Sequence, residues 1–234
     1  MIDIHSHFLP GIDDGAKTIE DSINILNELA QQGVTDVIAT PHYVEETIYT
    51  SSRRRNYELL DAVRARAREA GININLYLGN EIYINNNIIQ LHQLGTVSAL
   101  NNTTYLLVEL SLSGKYPNYE GILDELVRAG YKVVLAHPER YATVQENFEI
   151  LRPLAEMGVL FQCNLGSIIG QYGKNAKKTV RRMIKENMIF AFGSDIHRVR
   201  GTDDILLAQK KLAKHYKEAD LNKVLYENPS KIIG

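Results

Sequence analysis

Short, β-branched apolar runs alternate with amphipathic stretches along this 234-residue chain, and no other feature narrows its fold so far. Residues 2–5, 34–40, 72–83, 105–110, 131–136, 159–163 and 188–192 read as strands. Nearly every position in them is apolar, as expected of strands covered on both faces by helices. Residues 18–32 read as a helix with Ile19, Ile23, Leu26, Leu29 and Ala30 on one face and Gly33 at its end. Residues 52–70 form a basic amphipathic pattern ended by Gly71, and 119–129 another ended by Gly130. Helices are expected over 148–157, kinked or starting near Pro153, over 176–186, and in a tail over 205–216 and 221–226. About seven βα units without a long linker predict an α/β fold, a barrel rather than separate domains.

Hydrophobic residues at 44% and charged residues at 23% suit a soluble chain with a sizeable core. A formal net charge of -2 gives no global attraction to nucleic acid or anionic membrane, so any anion must be bound by a local site. A single cysteine, Cys163, excludes an internal disulfide framework and fits a reducing compartment. The first strand begins at Ile2, which leaves no room for a signal peptide. No apolar run approaches the roughly 20 residues of a membrane span. The expectation is a cytoplasmic enzyme or regulator.

Metal-binding side chains fall in a pattern. His5 and His7 close the first strand, and residues two apart on a strand share a side. His42 follows the second strand, Glu81 ends the third, Glu109 ends the fourth, His137 follows the fifth, and Asp195 and His197 follow the last. Asp13 and Asp14 lie in the loop after the first strand. This is the carboxyl end of the strands, the face on which α/β barrels build active sites. One histidine after a strand is ordinarily a loop residue, but five of the chain's seven (His5, His7, His42, His137 and His197) hold such positions. His92 and His215 lie elsewhere and read as structural. Imidazole and carboxylate together suit Zn, Mn or Fe, and the donors outnumber what one ion needs. Cations about 3.5–4 Å apart can clamp a phosphoryl group and lower the pKa of a bound water.

The motifs Met-Ile-Asp-Ile-His-Ser-His at 1–7, Asp-Asp-Gly at 13–15, Ala-Thr-Pro-His at 39–42, His-Pro-Glu-Arg at 137–140 and Gly-Ser-Asp-Ile-His at 193–197 resemble the polymerase-and-histidinol-phosphatase (PHP) superfamily. More narrowly, they resemble its bacterial tyrosine-protein phosphatases of the CpsB/YwqE type, regulators of capsule and exopolysaccharide. The resemblance runs in order over nearly the whole chain. It implies a distorted (β/α)7 barrel as a single domain over 1–234. It also implies a divalent cluster of three ions, with Mn favoured and Fe or Zn as alternatives. One ion would take His5, His7 and Asp195, with Glu81 bridging to a second that also takes Glu109 and His137; a third would take Asp14, His42 and His197. Arg140 would bind phosphate, since its planar fork matches phosphate oxygens; the plainer reading is a surface ion pair. Arg198 and Arg200 lie near the position where the family carries a further arginine, but off its spacing.

The reaction so implied is attack on phosphotyrosine by a metal-bound hydroxide, with a tyrosine autokinase that controls polysaccharide export as protein substrate. A small-molecule phosphatase of the histidinol-phosphate type is the alternative. A nuclease lacks a basic stripe, and a non-enzymatic metal-binding regulator would have no need of so full a donor set. A cysteine phosphatase needs an Arg six residues after its thiolate, where this chain has Ile169, so Cys163 reads as core. Arg53, Arg54 and Arg55 read as a solvated helix face, with docking of an acidic or phosphorylated segment as the sharper reading. Of thirteen tyrosines, Tyr43, Tyr49, Tyr116 and Tyr172 in loops could contact a phosphotyrosine ring.

Overall fold

The computed structural model describes residues 1–201 and 204–234. Its strands, in chain order, are β1 (Ile2–Ser6), β2 (Asp36–Ala39), β3 (His42–Tyr43), β4 (Asn75–Leu78), β5 (Glu81–Tyr83), β6 (Tyr105–Glu109), β7 (Lys132–Ala136), β8 (Leu160–Asn164) and β9 (Ile189–Gly193). All ladders between them are parallel, in one sheet ordered β1-β2-β4 and another ordered β3-β5-β6-β7-β8-β9.

The two sheets share a wall, because β2 leads into β3 across Thr40 and Pro41, and β4 into β5 across Gly79 and Asn80. Pro41 has no N–H to give a ladder. Beside it the Asn80 side chain donates to the Pro41 carbonyl (3.0 Å) and accepts from the Ser98 N–H (2.9 Å), replacing ladder bonds. Gly79 has no room for a side chain: a Cβ there would come within 2.6 Å of Leu100 Cδ2. On the far side the His7 N–H donates to the Ile196 carbonyl and the Asp195 N–H to the His5 carbonyl, each at 2.9 Å. These bonds carry the wall from β9 back to β1, so the strand tracks form a ring. The run expected at 72–83 is therefore two strands, and the one expected at 34–40 is followed by a second short piece.

Alternation along the strands feeds two cores. Val37, Val108, Leu135 and Phe192 join the larger one, which packs under the helices, while Ile38, Leu107, Val134 and Ala191 join a smaller one with Leu100 and Ile232. The first long helix, Ile19–Gln31, starts at a capping box made by Thr18 and Asp21, and Ser52 caps the next, Arg53–Glu69. The segment 148–157 is a 3-10 turn, Phe148–Ile150, then a helix, Leu151–Met157, with Pro153 in its first turn, where no intrahelical N–H is required. Helices Ile88–Gln93, Ala142–Glu146 and Leu165–Ile169 are too short to show a periodic face in sequence. The tail is Asp204–Leu212, Glu218–Asn222, a π turn at Lys223–Glu227 and Asn228–Ile233. Its end is fastened by Asn101, whose amide donates to the carbonyls of Ile232 and Ile233.

Candidate metal centre

The carboxyl ends of the strands bring the expected donors together around Glu81. Glu81 Oε2 lies 3.1 Å from His5 Nε2, 3.3 Å from His7 Nε2 and 3.0 Å from His42 Nδ1, while Oε1 lies 3.1 Å from His137 Nε2. Asp195 Oδ1 is 3.5 Å from His5 Nε2 and 3.6 Å from His7 Nε2. Glu109 reaches His137 at 3.5 Å and His42 at 3.8 Å. At the outer rim Asp14 Oδ1 sits 3.4 Å from His42 Nε2 and 3.3 Å from His197 Nε2, and the rings of His7 and His197 stack at 4.0 Å. Three donor sets converge: His5, His7 and Glu81; His42, Glu81 and Glu109; and His7, Asp14, His42 and His197. His7 and His42 therefore belong to more than one set, a sharing that a strand-by-strand reading does not show.

Glu81, His5 and His7 are wholly buried, so their charges must be compensated locally. Burial works against charge on His42 and His7. The nearby Glu81 and Asp14 carboxylates push His42 up to about 12, and the Asp13 carboxylate that accepts from its ring, together with Glu81, pushes His7 up to about 10. Glu81 is held well below the usual carboxylate range, its burial being overcome by His5 and His42, while Asp195 is lowered to about 2, chiefly by His5 and His137 against its burial. Asp14 is lowered through its bonds to His197 and His42. Glu109 goes the other way, up to about 7, driven by burial and the Glu81 charge. Protonated imidazoles thus balance the carboxylates, and divalent cations would exchange for those protons.

The residues fit such cations. Glu81 Oε2 and His42 Nδ1 are buried and face each other, yet neither makes a well-formed hydrogen bond. Mixed imidazole and carboxylate donors suit Zn, Mn and Fe. Two donors also sit on strained backbone, His137 at φ 33° and Asp195 at φ 52°. Such left-handed positions cost about 1–3 kcal/mol each and cluster at functional sites.

Around the donors lies a layer of polar side chains, of which the sequence pattern picks out Asp13 but not the amides on β8. Asp13 accepts from His7 Nδ1 at 2.9 Å and from the His42 N–H at 3.1 Å. It thus supports two of the histidines from behind, beside Asp14 in the loop after β1. Gln162 and Asn164, two apart on β8, are fully buried and reach His5 and Asp195; two amides inside an apolar strand were the signal there. Glu139 accepts from the Asn164 N–H (2.9 Å) and the Ser167 hydroxyl (2.6 Å), tying the turn that carries Arg140 to β8.

Arg140 donates to Asp195 Oδ2 at 2.7 Å and lies over the Tyr172 ring at 4.3 Å from its centroid, so it is a member of the cluster's wall and not a peripheral ion pair. Arg198 lines an open cleft of about 970 Å³ together with Asp14, Lys17 and His197. Arg200 is occupied by Gln171 and lies 3.8 Å from Asp204, and its N–H donates to Glu28. Tyr49 faces His42 at 6.0 Å between ring centroids, Tyr43 is buried in β3, and Tyr116 packs edge-on to Tyr83. Arg54 and Arg55 are exposed and pair with Glu58 on their own helix, while Arg53 bonds Asn102, the pattern of a solvated face. His92 bonds the Tyr131 hydroxyl. Cys163 is buried against Met183, and burial raises its thiol pKa, which removes it as a nucleophile.

Comparison with known proteins agrees with this geometry. YwqE of Bacillus subtilis (strain 168), a tyrosine-protein phosphatase, is 35% identical over 201 residues, covering 86% of this chain and 78% of YwqE. A solved structure from work on YwqE from Bacillus subtilis and CpsB from Streptococcus pneumoniae, described as unique metal-dependent tyrosine phosphatases, superposes with a TM-score of 0.92 at 32% identity, covering 100% of this chain and 94% of that one. The histidinol phosphate phosphatase of Lactococcus lactis subsp. lactis, solved with zinc, L-histidinol and phosphate, shares the fold at a TM-score of 0.58 and 15% identity, over 91% of this chain and 93% of its own. The model of the family described as "Capsular polysaccharide synthesis, CpsB/CapC" matches residues 1–234. Matched along its whole length, the chain belongs to the CpsB/CapC family.

Proposed function

We propose that this chain is a metal-dependent protein-tyrosine phosphatase that acts in the cytoplasm on a phosphorylated tyrosine autokinase governing capsular or exopolysaccharide synthesis. The observation that carries the reading is Glu81 standing within 3.3 Å of four imidazoles drawn from β1, the segment after it, β3 and the end of β7. In this reading His5, His7 and Asp195 would hold one ion, Glu109 and His137 a second, with Glu81 shared between the two, and Asp14, His42 and His197 a third, manganese being favoured over iron or zinc. Such ions supply Lewis acidity toward phosphoryl oxygens and a water of lowered pKa.

The chain's own residues do the rest. Arg140 offers its guanidinium fork to the phosphate, and Tyr172 and Asp195 hold the plane of that fork. Arg198, on the rim beside His197, would meet a phosphate or the flanking peptide, while Arg200, two residues on, is tied to Glu28 through its backbone. Tyr49, beside His42, offers an aromatic face next to where a phenyl ring would leave. A tyrosine phenol has a pKa near about 10, so its phenolate leaves without a strong general acid. No helix among the described residues is long and apolar enough to cross a membrane.

The test is to strip the protein with chelator, restore Mn, Fe, Zn or Mg singly, and assay phosphotyrosine peptide, phosphoserine peptide and histidinol phosphate. Phosphotyrosine turnover that vanishes on chelation and returns with Mn is expected. Turnover indifferent to chelator, or highest on histidinol phosphate, refutes the proposal. His5→Ala or His137→Ala should abolish turnover while circular dichroism shows a folded chain.

A further inference from the structure

Strand β8 contributes no imidazole or carboxylate to the cluster, yet it runs through the middle of the wall between the β7 tip that precedes His137 and the β9 tip that precedes Asp195. It carries instead two wholly buried amides, Gln162 and Asn164, whose side chains point the same way. A buried amide costs stability unless its polar atoms are satisfied, and here they are satisfied by one closed circuit. His5 Nδ1 donates to Gln162 Oε1 (2.9 Å), Gln162 Nε2 donates to Asn164 Oδ1 (2.9 Å), Asn164 Nδ2 donates to Asp195 Oδ2 (2.7 Å), and Asp195 Oδ1 returns to within 3.5 Å of His5 Nε2.

The direction of every bond in the circuit follows from one backbone group. The His137 N–H, which can only donate, points at the same Gln162 oxygen at 3.4 Å. The Gln162 atom facing His5 is therefore the carbonyl oxygen, so His5 Nδ1 must bear hydrogen, which leaves Nε2 as the nitrogen that can offer a lone pair to a cation once its own proton is displaced. The Gln162 nitrogen then faces Asn164, which turns the Asn164 oxygen toward it and the Asn164 nitrogen toward Asp195. Arg140 donates to the same Asp195 Oδ2. With Oδ2 taken twice, Oδ1 is the oxygen left to the cluster, where it lies 3.5 Å from His5 Nε2, 3.6 Å from His7 Nε2 and 3.5 Å from His197 Nδ1. Room for the circuit depends on Gly193: a Cβ there would come within 2.8 Å of His5 Cβ and 2.9 Å of Gln162 Nε2.

We infer that Gln162 and Asn164 are positioning residues that set the tautomer of His5 and the free oxygen of Asp195 before a cation arrives. The inference rests on the metal-centre reading above and deepens it. Partners that orient ligands in this way change cation affinity by about 10–100-fold when lost. The two amides also act as a pair, so disturbing one end should be felt at the other.

The test is Zn2+ affinity, measured by competition with a chromophoric chelator, on the full chain and on His5→Ala, Gln162→Leu, Gln162→Glu and Asn164→Ala, each with its melting temperature. Gln162→Leu should weaken Zn2+ binding by ~10–100-fold. Gln162→Glu, which still accepts from His5 and from the His137 N–H, should recover part of that loss, although it no longer donates to Asn164. A structural role alone would lower the melting temperature of both variants and leave affinity unmoved, which overturns the proposal. Should Gln162→Leu fail to fold, Asn164→Ala reads the same property through Asp195, and unchanged affinity there overturns it too. His5→Ala separates the two levels. If it weakens binding while the amide variants do not, only the positioning inference falls; if it also leaves binding intact, the metal-centre reading falls with it.

Discussion

Arg140 and Asn164 converge on a single atom, Asp195 Oδ2, each donating to it at 2.7 Å. Arg140 is thereby fixed against the donor cluster with one edge engaged, and its remaining N–H groups are free to meet a phosphate. Arg140→Ala should lower kcat/KM on phosphotyrosine peptide by about 10²–10³-fold, the cost of losing a donor aimed at developing oxyanion charge. Arg140→Lys should restore little, because an ammonium cannot hold Asp195 and grip phosphate as a fork does. Steady-state kinetics on the three proteins decide it, and an Arg140→Lys enzyme close to the parent would contradict the role.

Tyr172 serves as the floor beneath that guanidinium. A cation over an aromatic face is worth about 0.5–2 kcal/mol. Tyr172→Phe keeps the ring and should leave KM near the parent value. Tyr172→Ala should raise KM by several-fold, up to about 30-fold, for the same range of energy. Equal KM values for the two variants would show that the ring does no work there.

Stability of the chelated protein should fall as pH rises. His7 and His42, with folded values of about 10 and about 12, hold protons that an unfolded histidine releases above roughly 6.5. Their contribution is complete below that value and is lost as pH climbs toward the folded ones. Glu109, raised to about 7, acts in the same direction over the interval from its ordinary value up to 7. The melting temperature in chelator should therefore drop between pH 6.5 and 9, and the increment given by added Zn2+ or Mn2+ should grow over the same interval as protons cease to compete. A chelated protein that melts higher at pH 9 than at pH 6.5 would show that these imidazoles are neutral in the fold.

Gly79→Ala tests the break between β4 and β5. The new methyl would lie 2.6 Å from Leu100 Cδ2 and 3.2 Å from Leu100 Cα, so either Leu100 or the strand must move. Overpacking of this kind costs about 1–3 kcal/mol, readable in denaturant titration. Because Glu81 begins two residues later, the same variant should also lower turnover. A neutral effect on both would mean that the wall at this point is softer than its packing shows.

The donors were legible in the sequence because each sits where an apolar run stops, and a parallel wall gathers those stops at one end. His5, Glu81, His137 and Asp195 needed only that rule. The paired amides of β8 escaped it. A strand that reads as apolar core gives no local sign that Gln162 and Asn164 face His5 and Asp195, since those partners are brought by ladders and not by periodicity. The short helices, such as Leu165–Ile169, escaped for a different reason: at five residues they complete too few turns to show a pattern. The position of Arg200 was equally out of reach, because its partners Glu28 and Gln171 come from separate parts of the chain.

The seam where Asp195 bonds the carbonyl of His5 joins residues from opposite ends of the chain. The Ser194 N–H, beside it, bonds an Asp3 oxygen across 191 positions of sequence. A pocket closed by so distant a pairing is among the last things a folding chain can form. A nascent polypeptide still lacking Asp195 has His5 and His7 but no seam to hold them against it. Full competence in cation capture thus waits until synthesis has passed Asp195, and fragments that stop short of it should hold metal more weakly.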